Sequence, residues 1–269
     1  MTVGLRTPLC ELLGIEYPVL SVGFGAGARA ELVAAVSNAG GFGVLGASGA
    51  PPDALRGEVE HTRRLTDRRF GINLIIDADP AEIDELQTFV RGQIAAAAET
   101  GATAIVLFWG DPAPYVGDAQ AAGLQVLIQV GSVEEGAQVV DAGVDAVIAQ
   151  GAEAGGHVRG TASIWDLIPA MVAAVGPVPV LASGGIGDGA GIARALALGA
   201  QGVSLGTRFV ASDEAYVHPE FKRRIVASRA SDTAFTADLY DGGWPGAPHR
   251  TLRNRTYRRV GRSRPTAAR

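Results

Sequence analysis

The stretch VPVLASGGIGDGAGIARALALGAQGVSLG, residues 178–206, contains a pattern that is diagnostic for the architecture. It starts with a short strand, continues through a glycine turn into an alanine-rich helix, and ends in a second strand. Both strands are apolar on each face, which is typical of a parallel sheet that helices cover on both sides. The stretch therefore predicts one strand–helix–strand unit of an α/β fold.

The same unit occurs twice more, in YPVLSVGFGAGARAELVAAVSNAGGFGVLG (17–46) and LQVLIQVGSVEEGAQVVDAGVDAVIAQG (124–151). Its helices are predicted to end at Gly40, Gly143 and Gly199, where a left-handed residue costs little. The chain contains eight candidate strands, at 18–22, 43–46, 70–76, 104–108, 125–130, 146–150, 179–183 and 202–206. Eight strands alternating with helices fit a (β/α)8 TIM barrel of this length. A doubly wound open sheet stays the alternative, because periodicity does not show closure.

Length and composition favour one main domain. With 269 residues and 47% hydrophobic content, the chain is long enough for one large core. We expect the barrel to occupy residues 1–228 and an extension with an arginine-rich tail to occupy residues 229–269. No apolar run approaches the roughly 20 residues that cross a bilayer, and the N-terminus lacks a secretory pattern. We therefore expect a cytoplasmic protein without membrane contact.

The formal net charge of -5 hides an uneven distribution of charge. Eight of the 23 basic residues lie among the last twenty residues, which carry no acid, so the first 249 residues hold 15 bases against 28 acids. An acidic body repels nucleic acid, and the tail has only Tyr257 as an aromatic residue, so we do not expect nucleic-acid binding. The tail is predicted to be solvated or to pack against a partner subunit, which leaves a homo-oligomer open.

Several classes of site are excluded by residue counts and spacing. Cys10 is the only cysteine, which excludes an intrachain disulfide, and no His and acidic residues have metal-ligand spacing, so no metal is expected. Lys222, the only lysine, follows the eighth strand in a polar segment, which excludes a Schiff-base lysine inside a barrel. There is no serine elbow, and GFGAGA (23–28) matches only part of a dinucleotide fingerprint.

Three suggestive motifs follow predicted strands. They are GAEAGGH (151–157) after the sixth, SGGIGDGAG (183–191) after the seventh and GTRF (206–209) after the eighth. In a barrel these strand ends share one rim, where catalytic groups gather. Glycine turns that lead into helices expose N–H groups to a phosphate, and Ser183 and Thr207 add hydroxyl groups. Glycines that merely permit a short turn would explain one such loop, but two adjacent loops predict a ligand that carries a phosphate.

His157 lies on the neighbouring loop, within reach of a ligand that the phosphate would anchor. An imidazole can act there as an acid or a base near neutral pH. Gly155 and Gly156 would let a planar ring pack against the backbone, whereas the alternative is a surface histidine on a flexible loop. The other three histidines, His61, His218 and His249, are predicted to be solvated or structural.

Several of these segments carry a family resemblance: ELVAAVSNAGGFGVLG, FGINL, AQGAEAGGH, LASGGIGDGAGIARALALGAQGVSLGTRF and RTLRN. With them the chain resembles the nitronate monooxygenases, FMN-dependent TIM barrels once called 2-nitropropane dioxygenases. The FMN-dependent enoyl-acyl carrier protein reductases are close kin. The resemblance runs from about residue 17 to residue 255 and implies FMN as the cofactor.

The resemblance also implies a role for individual residues. His157 would be the catalytic base. The phosphate and ribityl chain of FMN would be held by Ser183, Gly184, Gly185, Ser204, Leu205, Gly206 and Thr207. Asn73 and Gln150 would hydrogen-bond to the flavin, with Gly155 and Gly156 close to it. The first-strand loop would contribute Val22, Gly23 and Phe24.

The implied reaction is flavin oxidation of an alkyl nitronate or nitroalkane, with O2 reoxidising the flavin and a carbonyl compound and nitrite as products. The small-molecule substrate and O2 are then the expected partners. An NAD(P)H-dependent reductase of enoyl thioesters is the alternative. A third interpretation is a barrel that binds a flavin or a sugar phosphate without redox turnover.

The sequence departs from the family pattern at two places. Phe24 in SVGFG stands where the family commonly has a methionine. Its side chain either lines the pocket or only packs against neighbouring side chains. The chain ends soon after RTLRN, so we expect a reduced lid. Trp109, at the end of the fourth strand, is either a pocket wall or a core residue.

Overall fold

The computed structural model describes residues 5–77, 80–237, 239 and 247–263. The strands in this part of the chain are β1 (Val19–Ser21), β2 (Gly43–Gly46), β3 (Phe70–Ile75), β4 (Ala104–Phe108), β5 (Gln125–Val130), β6 (Ala146–Gln150), β7 (Gly156–His157), β8 (Val180–Ser183), β9 (Gly202–Leu205), β10 (Thr233–Thr236) and β11 (His249–Leu252).

The helices in the same ranges are α1 (Pro8–Leu13), α2 (Ala30–Asn38), α3 (Pro52–Leu65), α4 (Ile83–Thr100), α5 (Ala113–Ala121), α6 (Val133–Asp141), α7 (Ile164–Val175), α8 (Gly189–Ala197), α9 (Thr207–Val210), α10 (Pro219–Val226) and α11 (Arg255–Ser263). As predicted, α2, α6 and α8 run into glycines with positive φ, at Gly40, Gly143 and Gly199. None of the described helices is long and apolar enough to cross a membrane.

Eight parallel strands form the barrel, in the order β1–β9–β8–β6–β5–β4–β3–β2. The two outer strands are joined by a parallel bridge between Leu20 and Phe42. There the N–H of Ser21 donates to the carbonyl oxygen of Phe42 at 3.0 Å, and the N–H of Phe42 donates to that of Val19 at 2.9 Å. The TIM barrel is therefore confirmed, each predicted strand lies within one residue of its observed bounds, and the doubly wound alternative is wrong.

The interior of the barrel is apolar toward its amino-terminal end. It contains side chains from the barrel strands, and α1 adds Leu9, Cys10 and Leu13 to the same cluster. A Cβ placed on Gly202, at the start of β9, would overlap Leu9 Cδ2, so α1 covers the amino-terminal mouth of the barrel. Cys10 is 1% exposed, as expected for a small buried hydrophobe.

A second, antiparallel sheet connects the C-terminal part of the chain to the carboxyl end of the barrel. Its order is β10–β11–β7. Strand β11 pairs with the short strand β7, so that His249 lies opposite His157 and Arg250 opposite Gly156. The loop that follows β6 is thereby held by residues that lie about a hundred positions later in the sequence.

Candidate active site

The strands end in a buried polar layer above the apolar interior. Side chains in a strand alternate between faces, so a residue two positions after an interior residue also faces the interior. This places five polar side chains near the carboxyl ends of their strands, each at most 9% exposed: Asn73, Gln129, Gln150, Ser183 and Ser204. Sequence analysis found four of them and missed Gln129, although its position two residues after the interior Leu127 was a usable signal.

The three glycine loops meet at this end of the barrel. A Cβ placed on Gly155 would lie 2.8 Å from Thr207 Oγ1. The loop after β6 therefore touches the residues that follow β9, the eighth strand of the barrel. A Cβ on Gly184 would lie 2.9 Å from the backbone nitrogen of Ala154, so the loop after β8 also touches the loop after β6. The structure therefore brings the predicted loops together on one rim.

The loops that follow β8 and β9, the seventh and eighth strands of the barrel, offer backbone N–H donors to a ligand. Gly184 and Gly185 have φ angles of +102° and +69°, a conformation that suits glycine. In the described part of the chain, no backbone oxygen accepts the N–H of Gly184, Gly185 or Thr207. Backbone N–H donors of this kind fit the phosphate of a nucleotide cofactor.

His157 is half-buried between two aromatic rings. Its imidazole lies edge-on to the Trp109 indole and to the His249 imidazole, with ring centroids 5.9 Å apart in each pair. Burial lowers the pKa of His157, and the neighbouring His249 lowers it further. The ring is therefore neutral at pH 7, the state in which an imidazole accepts a proton. His249, predicted to be solvated or structural, is 7% exposed and structural.

Gln150 holds the backbone around His157. Its Nε2 donates to the carbonyl oxygen of His157 at 2.8 Å, and its Oε1 accepts from the N–H of Arg159 at 2.7 Å. The side-chain amide of Gln150 has a second N–H on Nε2 and a second lone pair on Oε1 beyond those used in these two hydrogen bonds. Gln150 therefore fixes the loop that presents His157, and its predicted hydrogen bond to a flavin stays a prediction.

Glu153 and Arg250 tie the same loop to the fold. The Glu153 carboxylate accepts from Ser163 Oγ at 2.6 Å and from the N–H of Ile164 at 2.9 Å, at the start of α7. Burial alone would raise the pKa of Glu153, but these hydrogen bonds, together with the charge of Arg250, lower it overall. Arg250 Nη2 donates to the carbonyl oxygen of Ala152 at 2.7 Å, a contact across 98 residues that no local sequence signal reveals.

The loop after β4 forms a wall beside His157. Trp109 has a φ of +56°, the one non-glycine residue with positive φ in the described ranges, and it is 5% exposed. It lines a cavity of about 240 Å³ together with Gln129 and Arg159. The Arg159 guanidinium lies 5.6 Å from the indole centroid and pairs with Glu135. Trp109 is therefore both buried and a pocket wall, and its strained backbone is typical of functional sites.

The first-strand loop lies against the third strand. A Cβ on Gly23 would lie 2.5 Å from Asn73 Cβ, so only glycine fits there. Val22 lies next to Gly206, where a Cβ would be 3.8 Å from the Val22 side chain. Asn73 Nδ2 donates to the carbonyl oxygen of Val106 at 2.9 Å, which fixes its side chain.

Two of the predicted cofactor residues direct their side chains elsewhere. Phe24 packs against a small apolar cluster that includes Leu32 and Ala215. Leu205 packs into the outer core between strands and helices. If these two residues contact a ligand, the contact involves their backbone, and the methionine position of the family pattern is used here for packing.

Comparison with known proteins places this site in a family. A family model for nitronate monooxygenase matches residues 6–269. The chain belongs to the nitronate monooxygenase family. Members of this family are flavin-dependent oxidoreductases.

Individual relatives differ in the reaction that their names state. A nitronate monooxygenase from Paraburkholderia phytofirmans is 35% identical, over 87% of this chain and 74% of that protein. A "(3aS,4S,5R,7aS)-5-hydroxy-7a-methyl-1-oxo-octahydro-1H-indene-4-carboxyl-CoA dehydrogenase" from Mycobacterium tuberculosis is 36% identical over 93% of this chain, which spans 66% of that protein. The structure of FabK from Thermotoga maritima matches with a TM-score of 0.84 at 37% identity, covering 96% of this chain and 78% of that one.

Proposed function

We propose that this nitronate monooxygenase family member binds FMN at the carboxyl rim of the barrel and oxidises alkyl nitronates or nitroalkanes with O2. The products would be a carbonyl compound and nitrite. The observation that carries the proposal is a neutral, half-buried imidazole, His157, on a loop that touches both glycine loops with unpaired N–H donors. An imidazole of this kind beside a phosphate site is what a flavin oxidation that begins with proton removal requires.

The chain's own residues would divide the work of binding. The N–H groups of Gly184, Gly185 and Thr207 would hold the phosphate, with Ser183 and Ser204 along the ribityl chain. Gly155 and Gly156 would lie close to the ring, because they leave room that a side chain would fill. Asn73 and the remaining donor of Gln150 would hydrogen-bond to the polar edge of the flavin.

His157 would then move the proton. Its neutral ring accepts the α proton of a nitroalkane, whose bonding electrons remain on the substrate as the nitronate. When bound, FMN supplies the electron acceptor, and O2 is the final oxidant. Trp109 and His249 keep the imidazole in one orientation, and Gln150 holds its backbone, so the base is positioned before the substrate arrives.

The test is the response of the purified yellow protein to two reductants without oxygen. An alkyl nitronate should bleach the flavin band without NAD(P)H, and oxygen should restore the colour with release of nitrite. Chromatography of the extracted cofactor should give FMN. Bleaching by NADH alone, with no response to the nitronate, would instead assign the chain to the reductases, and a yellow protein that neither compound bleaches would assign it to binding without turnover.

A second candidate function has its own support. The Mycobacterium tuberculosis relative is named as a dehydrogenase of a coenzyme A thioester, and it is as similar to this chain as the nitronate monooxygenases are. A thioester carbonyl acidifies the neighbouring carbon as a nitro group does, so the same His157 and flavin would serve. In this case the chain would be a flavin-dependent oxidoreductase of acyl thioesters, with NAD(P)H as the partner for reduction.

A further inference from the structure

An arginine-lined cavity lies outside the flavin site, in the C-terminal part of the chain. It has a volume of about 450 Å³, and its lining is Arg224, Arg253, Asn254, Arg255, Thr256 and Arg258. We refer to it as the arginine cavity. The four guanidinium groups come from α10, from the residue after β11 and from the first turn of α11, and the lining contains no acid.

The positive charge in the arginine cavity has no compensating acid among the described residues. No carboxylate there lies within 4.0 Å of any of its four guanidinium groups, whereas arginines elsewhere are paired, such as Arg56 with Glu99 and Arg91 with Asp118. Like charges in one cavity repel one another, and a bound anion removes that repulsion. The cavity therefore has the electrostatics of an anion site.

The backbone of the arginine cavity is held in place by hydrogen bonds. Arg224 Nη2 donates to the carbonyl oxygen of Arg253 at 3.3 Å, which ties α10 to the end of β11. Arg253 Nε donates to the carbonyl oxygen of Thr233 in β10 at 3.1 Å. Asn254 Oδ1 accepts from the N–H of Tyr257 at 3.0 Å and starts α11. The cavity is thus built by three elements rather than by an isolated exposed helix.

The arginine cavity has a defined relation to His157. His249 lies directly opposite His157 in the β11–β7 pair, and Arg253 follows four residues later. At about 3.3 Å per residue of strand, this separation is roughly 13 Å. A ligand that occupies both places must carry its anionic group and its reacting carbon at the two ends of a long arm.

We propose that the arginine cavity binds the phosphates of coenzyme A, so that the substrate at His157 is an acyl-CoA thioester. The pantetheine arm of coenzyme A separates the thioester from the phosphates, and guanidinium groups bind phosphate oxygens in a bidentate manner. This inference rests on the second candidate function proposed above, an oxidoreductase of acyl thioesters, and adds a site for the phosphates of its substrate. NADPH shares the phosphorylated adenosine chemistry but would bring its reacting ring, not a thioester, to the flavin.

The experiment is a calorimetric titration of the full-length, cofactor-loaded protein with coenzyme A, NADPH or inorganic phosphate. Coenzyme A should bind saturably and more tightly than the other two. The double variant R255Q/R258Q removes two exposed cations and should weaken coenzyme A binding about tenfold or more, since charged hydrogen bonds are worth about 1.5–3 kcal/mol each. The flavin content should not change.

The matched control is R64Q/R68Q, which removes two exposed arginines near the amino-terminal end of the barrel. It should leave coenzyme A binding unchanged. Equal weakening in both double variants, or binding of NADPH or phosphate as tight as that of coenzyme A, would overturn the proposal. A wild-type chain that binds coenzyme A but no FMN would contradict the proposed flavin function alone, so the two failures are distinguishable.

Discussion

The His157 imidazole is the residue on which the proposed chemistry depends. Its ring is half-buried and contacts two aromatic side chains, and the hydrogen bonds of Gln150 fix its backbone. A base in a surface loop would lose much of its effect to rotational freedom. Here the sixth-strand loop has four glycines around the histidine, yet its mobility is removed by partners that are distant in the sequence.

Replacing His157 with asparagine should separate proton removal from the later steps. We expect His157→Asn to keep its flavin but to reduce it about 10²- to 10⁴-fold more slowly with a neutral nitroalkane, because general-base help is worth that much. The loss with a preformed nitronate should be smaller, since the proton is already gone. Anaerobic stopped-flow absorbance measures both rates, and equal losses with the two substrates would rule out the base role.

The neighbouring His249 should influence the pH dependence of kcat/KM through the pKa of His157. Burial lowers the pKa of His157, and the His249 ring lowers it further, so the base loses activity only below its ordinary value of 6.5. Removing one of the two causes in His249→Asn raises that pKa and should move the acid limb of kcat/KM to higher pH. His61→Asn, which changes a histidine 3.9 Å from Glu31 on the helical layer, is the control. An acid limb that stays in place in His249→Asn would exclude electrostatic coupling between the rings.

At the level of elements, the barrel strands were predictable and the small sheet was not. Each barrel strand is a short run that is apolar on both faces and bounded by glycine, a pattern visible within one unit. The pairing of β11 with β7 joins residues about ninety positions apart, and its residues show no distinguishing periodicity. The contacts of Arg250 with Ala152 and of His249 with His157 were missed for that reason, while the histidine and glycine motifs on the rim were found.

The seventh-strand loop provides a test of the phosphate site within one element. In Gly185→Ala the new Cβ would lie 2.8 Å from Glu153 Cβ at a φ of +69°, so the loop must shift. Strain of this kind costs about 1–3 kcal/mol, and the displaced N–H would weaken FMN binding. Gly187→Ala is the matched control, because its Cβ would meet nothing within 4 Å. Flavin fluorescence titration and the melting temperature of both variants should show the contrast, and equal FMN affinity in the two would contradict the proposed phosphate site.

Across the whole molecule, the two ends of the barrel have different compositions. The carboxyl end carries the polar layer and the glycine loops, whereas the amino-terminal end is sealed by the apolar side chains of α1. In TIM barrels the carboxyl end of the strands carries the active site, and the amino-terminal end contributes to stability. The boundary at residue 228 stays a prediction, and β10 and β11, which lie beyond it, contact the sixth-strand loop of the barrel through β7.

A change at the closed end should therefore alter stability without altering the site. Leu9 is fully buried against Gly202, and Leu9→Ala removes most of its side chain from a cluster that has little freedom to collapse. We expect the free energy of unfolding in urea to fall by about 2–5 kcal/mol. The affinity for FMN and the pH profile of the folded enzyme should match those of the wild type, because α1 covers the end of the barrel opposite to the polar layer. Loss of FMN affinity in folded Leu9→Ala would show that the two ends are coupled through the interior, and the division of the barrel between stability and activity would then be wrong.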